Sequence, residues 1–513
     1  MDWNQGYVAG IDYPTGFFRE QSPAHLSFAC VLNGVEPVPL DRPFTYMELG
    51  AGQGLTANVL AAANPQGRFY AVDFSPSHVV AARQLTEAAQ LDNLTLLETS
   101  FAELAAGKVA LPPMDFITMY GVYSWVDARN RQHIVDFIGR YLKPGGIVYL
   151  NYNAMPGWSP SLPLQRLILE RTQTDRYASH NQLERGRQLV DGLVEAGATY
   201  FDGNPNLQFR LDSLRDDKAG YLAHEYMSDG WSPLYHADVA RALAGAKMDY
   251  VGSGELSHAF PELYLKPEQL ELLATIDDPV FRETLKDYIC NTNFREDIYV
   301  RGARRMGTAR REQWLRQTGL ALTSLPDAVS LDLRLPIGTL EADERCYRPI
   351  VDALARRPHS LAELAEIPAL FSVSLGDIAR MAALLTASGQ ASTYFLCSAA
   401  MPDAPARRMN AALADAARHK DHYQVLASPL LGNGLQSGLV QRLMFGCLRA
   451  EPETVDIEAC AHHLRGILQA QGQRLSKDGR TLESEREVME ELRFLSDAIV
   501  RRRAPVWRAL NIL

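Results

Sequence analysis

The stretch FTYMELGAGQGLTANVLAAANPQGRFYAVD, Phe44 to Asp73, moves from an apolar run into a glycine-rich turn, a helix-like segment and a second apolar run that ends on an acid. Glycines at such a turn let the backbone approach a ligand closely and adopt φ > 0 at no steric cost. The helix that follows presents free N–H groups at its start. A dinucleotide site uses the same logic with G-x-G-x-x-G, the pyrophosphate resting on the helix end. Here the spacing is G-x-G-x-G (Gly50, Gly52, Gly54), with Glu48 two residues ahead of the first glycine. A lone glycine loop is weak evidence. Strand, loop, helix, strand and acid in register are strong evidence for an α/β fold.

The pattern continues on both sides. After Asp73 comes the turn Phe74-Ser75-Pro76, a helix-like stretch from His78 to Gln90, and a strand Leu94–Glu98 ending in Thr99-Ser100-Phe101. Met114 to Tyr120 reads as another buried strand and runs into Gly121-Val122-Tyr123-Ser124-Trp125-Val126. A helix Asn130–Tyr141 closes on Leu142-Lys143-Pro144-Gly145-Gly146, expected to be a stop and a turn. The strand Ile147–Asn151 then leads into Tyr152 and the aromatic turn up to Trp158. Alternating strand and helix signals predict a parallel, right-handed sheet. Ligands of such sheets bind beyond the carboxyl ends of the strands. A last core helix and strand match Tyr235–Leu243 and Met248–Gly252, which makes 159–233 a mostly helical insertion.

With 513 residues the chain is too long for one core. A hydrophobic content of 47% and a charged content of 22% are ordinary for a folded protein. The net charge of −10 disfavours a general nucleic-acid binder. Six scattered cysteines form no CxxC pair, so neither a zinc site nor a disulfide framework is expected, and reduced thiols are. No signal peptide and no apolar run long enough to span a membrane are read, so a cytoplasmic protein is expected.

The glycine loop with its two acids resembles motif I of the class I S-adenosylmethionine-dependent methyltransferases. With AVDFSP, YGVYSWV, the LKPGG turn, NYNAMPGW and LAHEYM, the chain is similar to bacterial protein-lysine methyltransferases that carry a methyltransferase regulatory domain. The resemblance implies S-adenosyl-L-methionine as cofactor and S-adenosyl-L-homocysteine as product. It implies a protein lysine as one acceptor class, and it allows for a homodimer. The cofactor-binding residues it implies are Tyr7, Glu48, Gly50, Gly52, Gln53, Gly54, Asp73, Phe74, Ser100, Phe101, Tyr120 and Gly121. Asp73 would accept from both ribose hydroxyls, while Ser100 and Phe101 would flank the adenine. The N-terminal segment, with Trp3, Tyr7, Tyr13, Phe17 and Phe18, would fold back as a lid, although aromatics there equally suit plain packing.

Catalysis of methyl transfer rests on positioning and on excluding water. A lysine acceptor must lose its proton, and burial against aromatic walls lowers its pKa. Tyr13, Tyr123, Trp125, Tyr152 and His224 are the candidate catalytic residues, with Trp158 as a further wall and no metal required. A small-molecule methyltransferase shares every cofactor motif, and a non-catalytic cofactor-binding regulator is a further alternative. The Asn/Asp-Pro-Pro-Tyr/Phe motif of DNA adenine methyltransferases is missing at Tyr120–Tyr123.

The expected division is a cap at 1–43, a methyltransferase core at 44–265, a helical regulatory or linker region at 266–335, a winged-helix-like domain at 336–400 and a helical domain at 401–513. The winged-helix reading rests on helices near 346–356, 360–366 and 375–386 followed by an apolar strand at 392–396. Its third helix lacks the cluster of cations that drives DNA binding, so protein contact or dimerisation is the expected role.

Overall fold

A computed structural model of the chain describes residues 15–173, 179–202, 207, 230–450 and 455–513, with the side chains of 172–183 left aside. Seven strands form the central sheet: β1 (Phe44–Leu49), β2 (Gly67–Asp73), β3 (Leu94–Glu98), β4 (Met114–Met119), β5 (Leu142–Asn153), β6 (Met248–Ser253) and β7 (Phe294–Arg301). Their order is β3-β2-β1-β4-β5-β7-β6. β7 is antiparallel to both of its neighbours, and the other pairs are parallel. This is the Rossmann-like class I methyltransferase sheet that the resemblance implies.

Parallel strands covered on both faces read as continuous apolar runs, and β1 buries five of its six residues. Helices α1 (Pro23–Leu32), α2 (Leu55–Ala63), α3 (Pro76–Ala88), α4 (Phe101–Ala106) and α5 (Ala128–Tyr141) flank the sheet. α2 starts directly after Gly54, which is left-handed at φ 70°, and all nine of its residues are buried. Such a helix needs cover on every side.

Four expectations change. The core does not close at residue 265, because β7 inserts between β5 and β6. FREDIYVR reads as a charged helix face, yet Arg295 and Asp297 are buried and satisfy each other at 2.9 Å. Second, LKPGG is part of β5: pairing passes from Met114↔Leu142 to Phe116↔Ile147, so the intervening residues bulge out without ending the strand. Third, the helices Glu344–Leu354, Leu361–Ala365 and Leu375–Ala387 and the strand Ala391–Phe395 follow the expected order. Their sheet, however, takes its middle strand, Thr318–Leu322, from upstream of the helices, in place of a wing hairpin after them. Fourth, the last hundred residues include the hairpin Val425–Ser428/Asn433–Gln436 among their helices.

The C-terminal half is continuous with the sheet. One apolar core runs from Phe28, Tyr46 and Tyr149 to Leu320, Ile350, Leu385 and Phe395. A second joins Leu55 and Val59 of α2 to Met409, Leu413 and Val425. Asn64 at the end of α2 donates to the Gly432 carbonyl at 2.9 Å, which seals that junction. Among the described residues no helix is long and apolar enough to cross a membrane.

Candidate active site

The carboxyl ends of β1, β2 and β4 open into a cavity of about 140 Å³, far more than the roughly 10–15 Å³ that one water occupies. Its floor is the glycine loop, where Gly50, Gly52 and Gly54 all have positive φ (68°, 55° and 70°). A Cβ on Gly50 would lie 2.5 Å from Val122, whereas one on Gly52 would project into open space. The first glycine is therefore required by packing, and the second leaves room above the loop.

Asp73 clamps this floor. One carboxylate oxygen accepts from the Gly52 N–H at 2.8 Å; the other accepts from the Ser75 N–H at 2.8 Å and faces His78 Nδ1 at 3.2 Å. The oxygen that accepts from Gly52 keeps acceptor capacity for a ligand hydroxyl. Glu48 is buried; its Oε1 accepts from Gln21 Nε2 at 3.2 Å and its Oε2 has no partner. Burial pushes this carboxyl up to about 8, and the charge of Asp73 adds to the rise. Hydrogen bonds from the Gln21 amide and the Ala57 N–H oppose that rise.

The roof is the segment from Thr15 to Phe18. Thr15 Oγ1 donates to Gln53 Oε1 at 2.9 Å, and the Phe18 N–H donates to Thr56 Oγ1 at 3.2 Å. The Phe18 ring stacks on Tyr120 with centroids 3.6 Å apart. Within the described residues Phe18 carries the N-terminal segment's ring contact with the cavity; Tyr7, Tyr13 and His224 lie outside them.

Glu48, Gly50, Gly52, Gln53, Gly54, Asp73, Phe74, Ser100, Phe101, Tyr120, Gly121 and Trp125 all line the cavity. The Ser100 hydroxyl also caps α4, accepting from the Glu103 N–H at 3.3 Å. Trp125 forms one side of a tryptophan cluster with Trp158 and Trp231. Tyr123 and Tyr152 do not line the cavity. Both pack in the core on the α5 side of the sheet, and the Tyr152 hydroxyl donates to Asp297 at 2.7 Å. Strand alternation turns Tyr152 away from Asn151, whose side-chain oxygen accepts from the Gly121 N–H at 2.7 Å at the cavity edge. Phe18, Thr15, His78 and Asn130, which also line the cavity, carry no motif; the Phe17-Phe18 pair beside Thr15-Gly16 was the one available signal.

Comparison with known proteins agrees with this architecture. A family model described as "Methyltransferase domain" matches residues 47–148, and one described as "Predicted methyltransferase regulatory domain" matches residues 218–301. The chain is 34% identical to uncharacterized protein sll1526 of Synechocystis over the full length of both. It is 25% identical to protein RP789 of Rickettsia prowazekii, over 56% of this chain and 51% of that protein. The structure of PKMT2 from Rickettsia typhi in complex with AdoHcy aligns with a TM-score of 0.69 at 17% identity, across 98% of this chain and 99% of that one.

Proposed function

Because the chain belongs to the family of methyltransferases that carry a methyltransferase regulatory domain, we propose that it methylates the side-chain amine of a protein lysine. S-adenosyl-L-methionine is the cofactor and S-adenosyl-L-homocysteine the product. The cofactor supplies an activated methyl group bound to a cationic sulfur.

The observation that carries the reading is the cavity's match to a cationic ligand with sugar hydroxyls and a flat base. Glu48 offers an unpartnered carboxyl oxygen. Gly52 leaves open space beneath the ligand, and Asp73 presents a fixed carboxylate. In this reading Asp73 holds the ribose, Phe74, Ser100 and Phe101 border the adenine, and Glu48 with the glycine loop faces the methionine end. Phe18, Tyr120 and Trp125 exclude water and offer ring faces to positive charge. Tyr123 and Tyr152 act from behind, by fixing the strand ends that carry Gly121 and Asn151. The whole-length likeness to the protein named PKMT2 supports a protein acceptor, and the segments beyond the core sheet are assigned to acceptor selection and to a homodimer.

Calorimetry with S-adenosyl-L-methionine and S-adenosyl-L-homocysteine on wild type and Asp73→Ala tests the cofactor site: micromolar binding that collapses in the variant is expected. Labelled-methyl transfer to lysate fractions, followed by amino-acid analysis, tests the acceptor. Label on methyl-lysine supports the reading, label in the small-molecule fraction moves the acceptor class, and no binding sinks the assignment.

A further inference from the structure

Asp73 is fixed through both its backbone and its side chain. The Thr99 N–H donates to its carbonyl at 3.3 Å, and the Ala51 N–H donates to the neighbouring Val72 carbonyl at 2.9 Å. Three donors hold the carboxylate. Oδ2 accepts from the Gly52 N–H at 2.8 Å, while Oδ1 accepts from the Ser75 N–H at 2.8 Å and from His78 Nδ1 at 3.2 Å. A carboxylate only accepts hydrogen bonds, so this last contact places an imidazole hydrogen on Nδ1.

His78 has little freedom to leave. It sits in the first turn of α3, which Pro76 starts, and it is 8% exposed. One turn later on the same face, Ala82 locks the helix to the glycine loop. A Cβ on Gly54 would lie 2.6 Å from the Ala82 Cβ, and Asn58 of α2 donates to the Ala82 carbonyl at 3.3 Å. His78 also lines the cavity beside Asp73 and Phe74. Each carboxylate oxygen has two lone pairs. Ser75 and His78 fill both on Oδ1, and Gly52 takes one on Oδ2. A single acceptor position remains.

The two hydroxyls of a ribose are neighbours, and an unencumbered carboxylate can take one on each oxygen. Here Oδ1 is already filled. We infer that His78 is a specificity-determining positioning residue: by occupying Oδ1 it restricts Asp73 to one ribose hydroxyl of the cofactor. The other hydroxyl then gains nothing from Asp73, and an adenosyl ligand without it is held almost as well. The inference rests on the cofactor reading and specifies how that same site distinguishes its ligands.

Two analogues of S-adenosyl-L-homocysteine, each lacking a different ribose hydroxyl, test it by calorimetry on the full chain, with the parent compound as reference. In wild type one analogue should bind at least ~10-fold more weakly than the other, the worth of one hydrogen bond to a charged group. His78→Met vacates a lone pair on Oδ1, so the better analogue should fall relative to the parent until the two nearly match. A merely structural role would weaken all three ligands together and leave the gap as it was. Equal losses in wild type, or an unchanged gap in His78→Met, overturn the inference. Should His78→Met fail to fold or to bind the parent, nitrogen NMR on wild type decides. Hydrogen on Nδ1 of His78 supports the inference, and hydrogen on Nε2 alone overturns it. Absent binding of the parent in wild type would instead remove the cofactor assignment, and the inference with it.

Discussion

The Phe18 ring lies flat on Tyr120, with centroids 3.6 Å apart and planes 13° from parallel. Tyr120 directly follows β4, and Phe18 belongs to a strap that touches three parts of the molecule. Thr15 holds the glycine loop through Gln53. Arg19 Nη2 donates to the Ala387 carbonyl at 3.3 Å, and Asn433 Nδ2 donates to the Arg19 carbonyl at 3.0 Å. The roof of the cavity is therefore pinned by the C-terminal half of the chain.

Removing the ring isolates its contribution. Stacked aromatic pairs are worth about 0.5–1.5 kcal/mol beyond the area they bury. Phe18→Ala should weaken S-adenosyl-L-homocysteine by about 3- to 10-fold in calorimetry, and Phe18→Tyr should restore most of it. The thermal midpoint should move little, since Phe18 is only half-buried.

The glycine loop separates folding from binding. Gly50→Ala meets Val122 at 2.5 Å and should destabilise the fold as well as abolish binding. Gly52→Ala meets nothing within 4 Å. Its φ of 55° costs an alanine roughly 1–2 kcal/mol, so the fold survives while the methyl occupies ligand space. Equal thermal midpoints for the two variants would contradict this division.

The glycine loop was legible because φ, spacing and the flanking acids each leave a mark in the sequence. β7 was not, since its burial pattern depends on an ion-pair network shared between the strand and the helix Pro279–Cys290. Arg295 binds Asp287 at 2.6 Å, Asp297 at 2.9 Å and Glu283 at 3.1 Å. Nothing local announces that one arginine gathers three carboxylates from two elements. Tyr152 lies within β5 and faces away from the cavity, and alternation cannot be phased from sequence until its neighbours are known. Phe18 needed the fold to bring it to Tyr120, 102 positions on.

That network predicts an asymmetric response. Arg295→Met strands Asp287 and Asp297 as buried unpaired charges and should cost about 3–5 kcal/mol in denaturant unfolding. Glu283→Gln, at the partly exposed rim of the network, should cost much less.

Two acids give the ligand-free protein a falling stability as pH rises above neutrality. Glu48 and Glu296 are both pushed from the ordinary 4.5 up to about 8, by burial first. The unfolded chain loses these protons near 4.5 and the folded chain keeps them to about 8, so the native state binds more protons in between. Stability then falls as pH rises across that window. Urea midpoints at pH 7, 7.5 and 8 should decline, and the double variant Glu48→Gln/Glu296→Gln should flatten the decline. Below about 6.5, His25 and His258, both lowered by burial, act in the opposite sense. A midpoint that rises with pH would contradict the assignment.

The strap also predicts an effect at a distance. Gly434 lies in the C-terminal hairpin, where a Cβ would sit 2.6 Å from both the Phe17 ring and Val425. Phe17 precedes the residue that stacks on Tyr120, so overpacking there must displace either the hairpin or the strap. Inserting a methyl into a filled core costs typically about 1–3 kcal/mol. Gly434→Ala should lower the thermal midpoint and, if the strap yields, weaken S-adenosyl-L-homocysteine several-fold without touching the cavity. Gly438→Ala, with nothing within 4 Å of its Cβ, is the matched control and should change neither. A lowered midpoint with unchanged affinity would mean that the hairpin gives way alone, leaving the C-terminal half as support for α2 and not as a lever on the cofactor site.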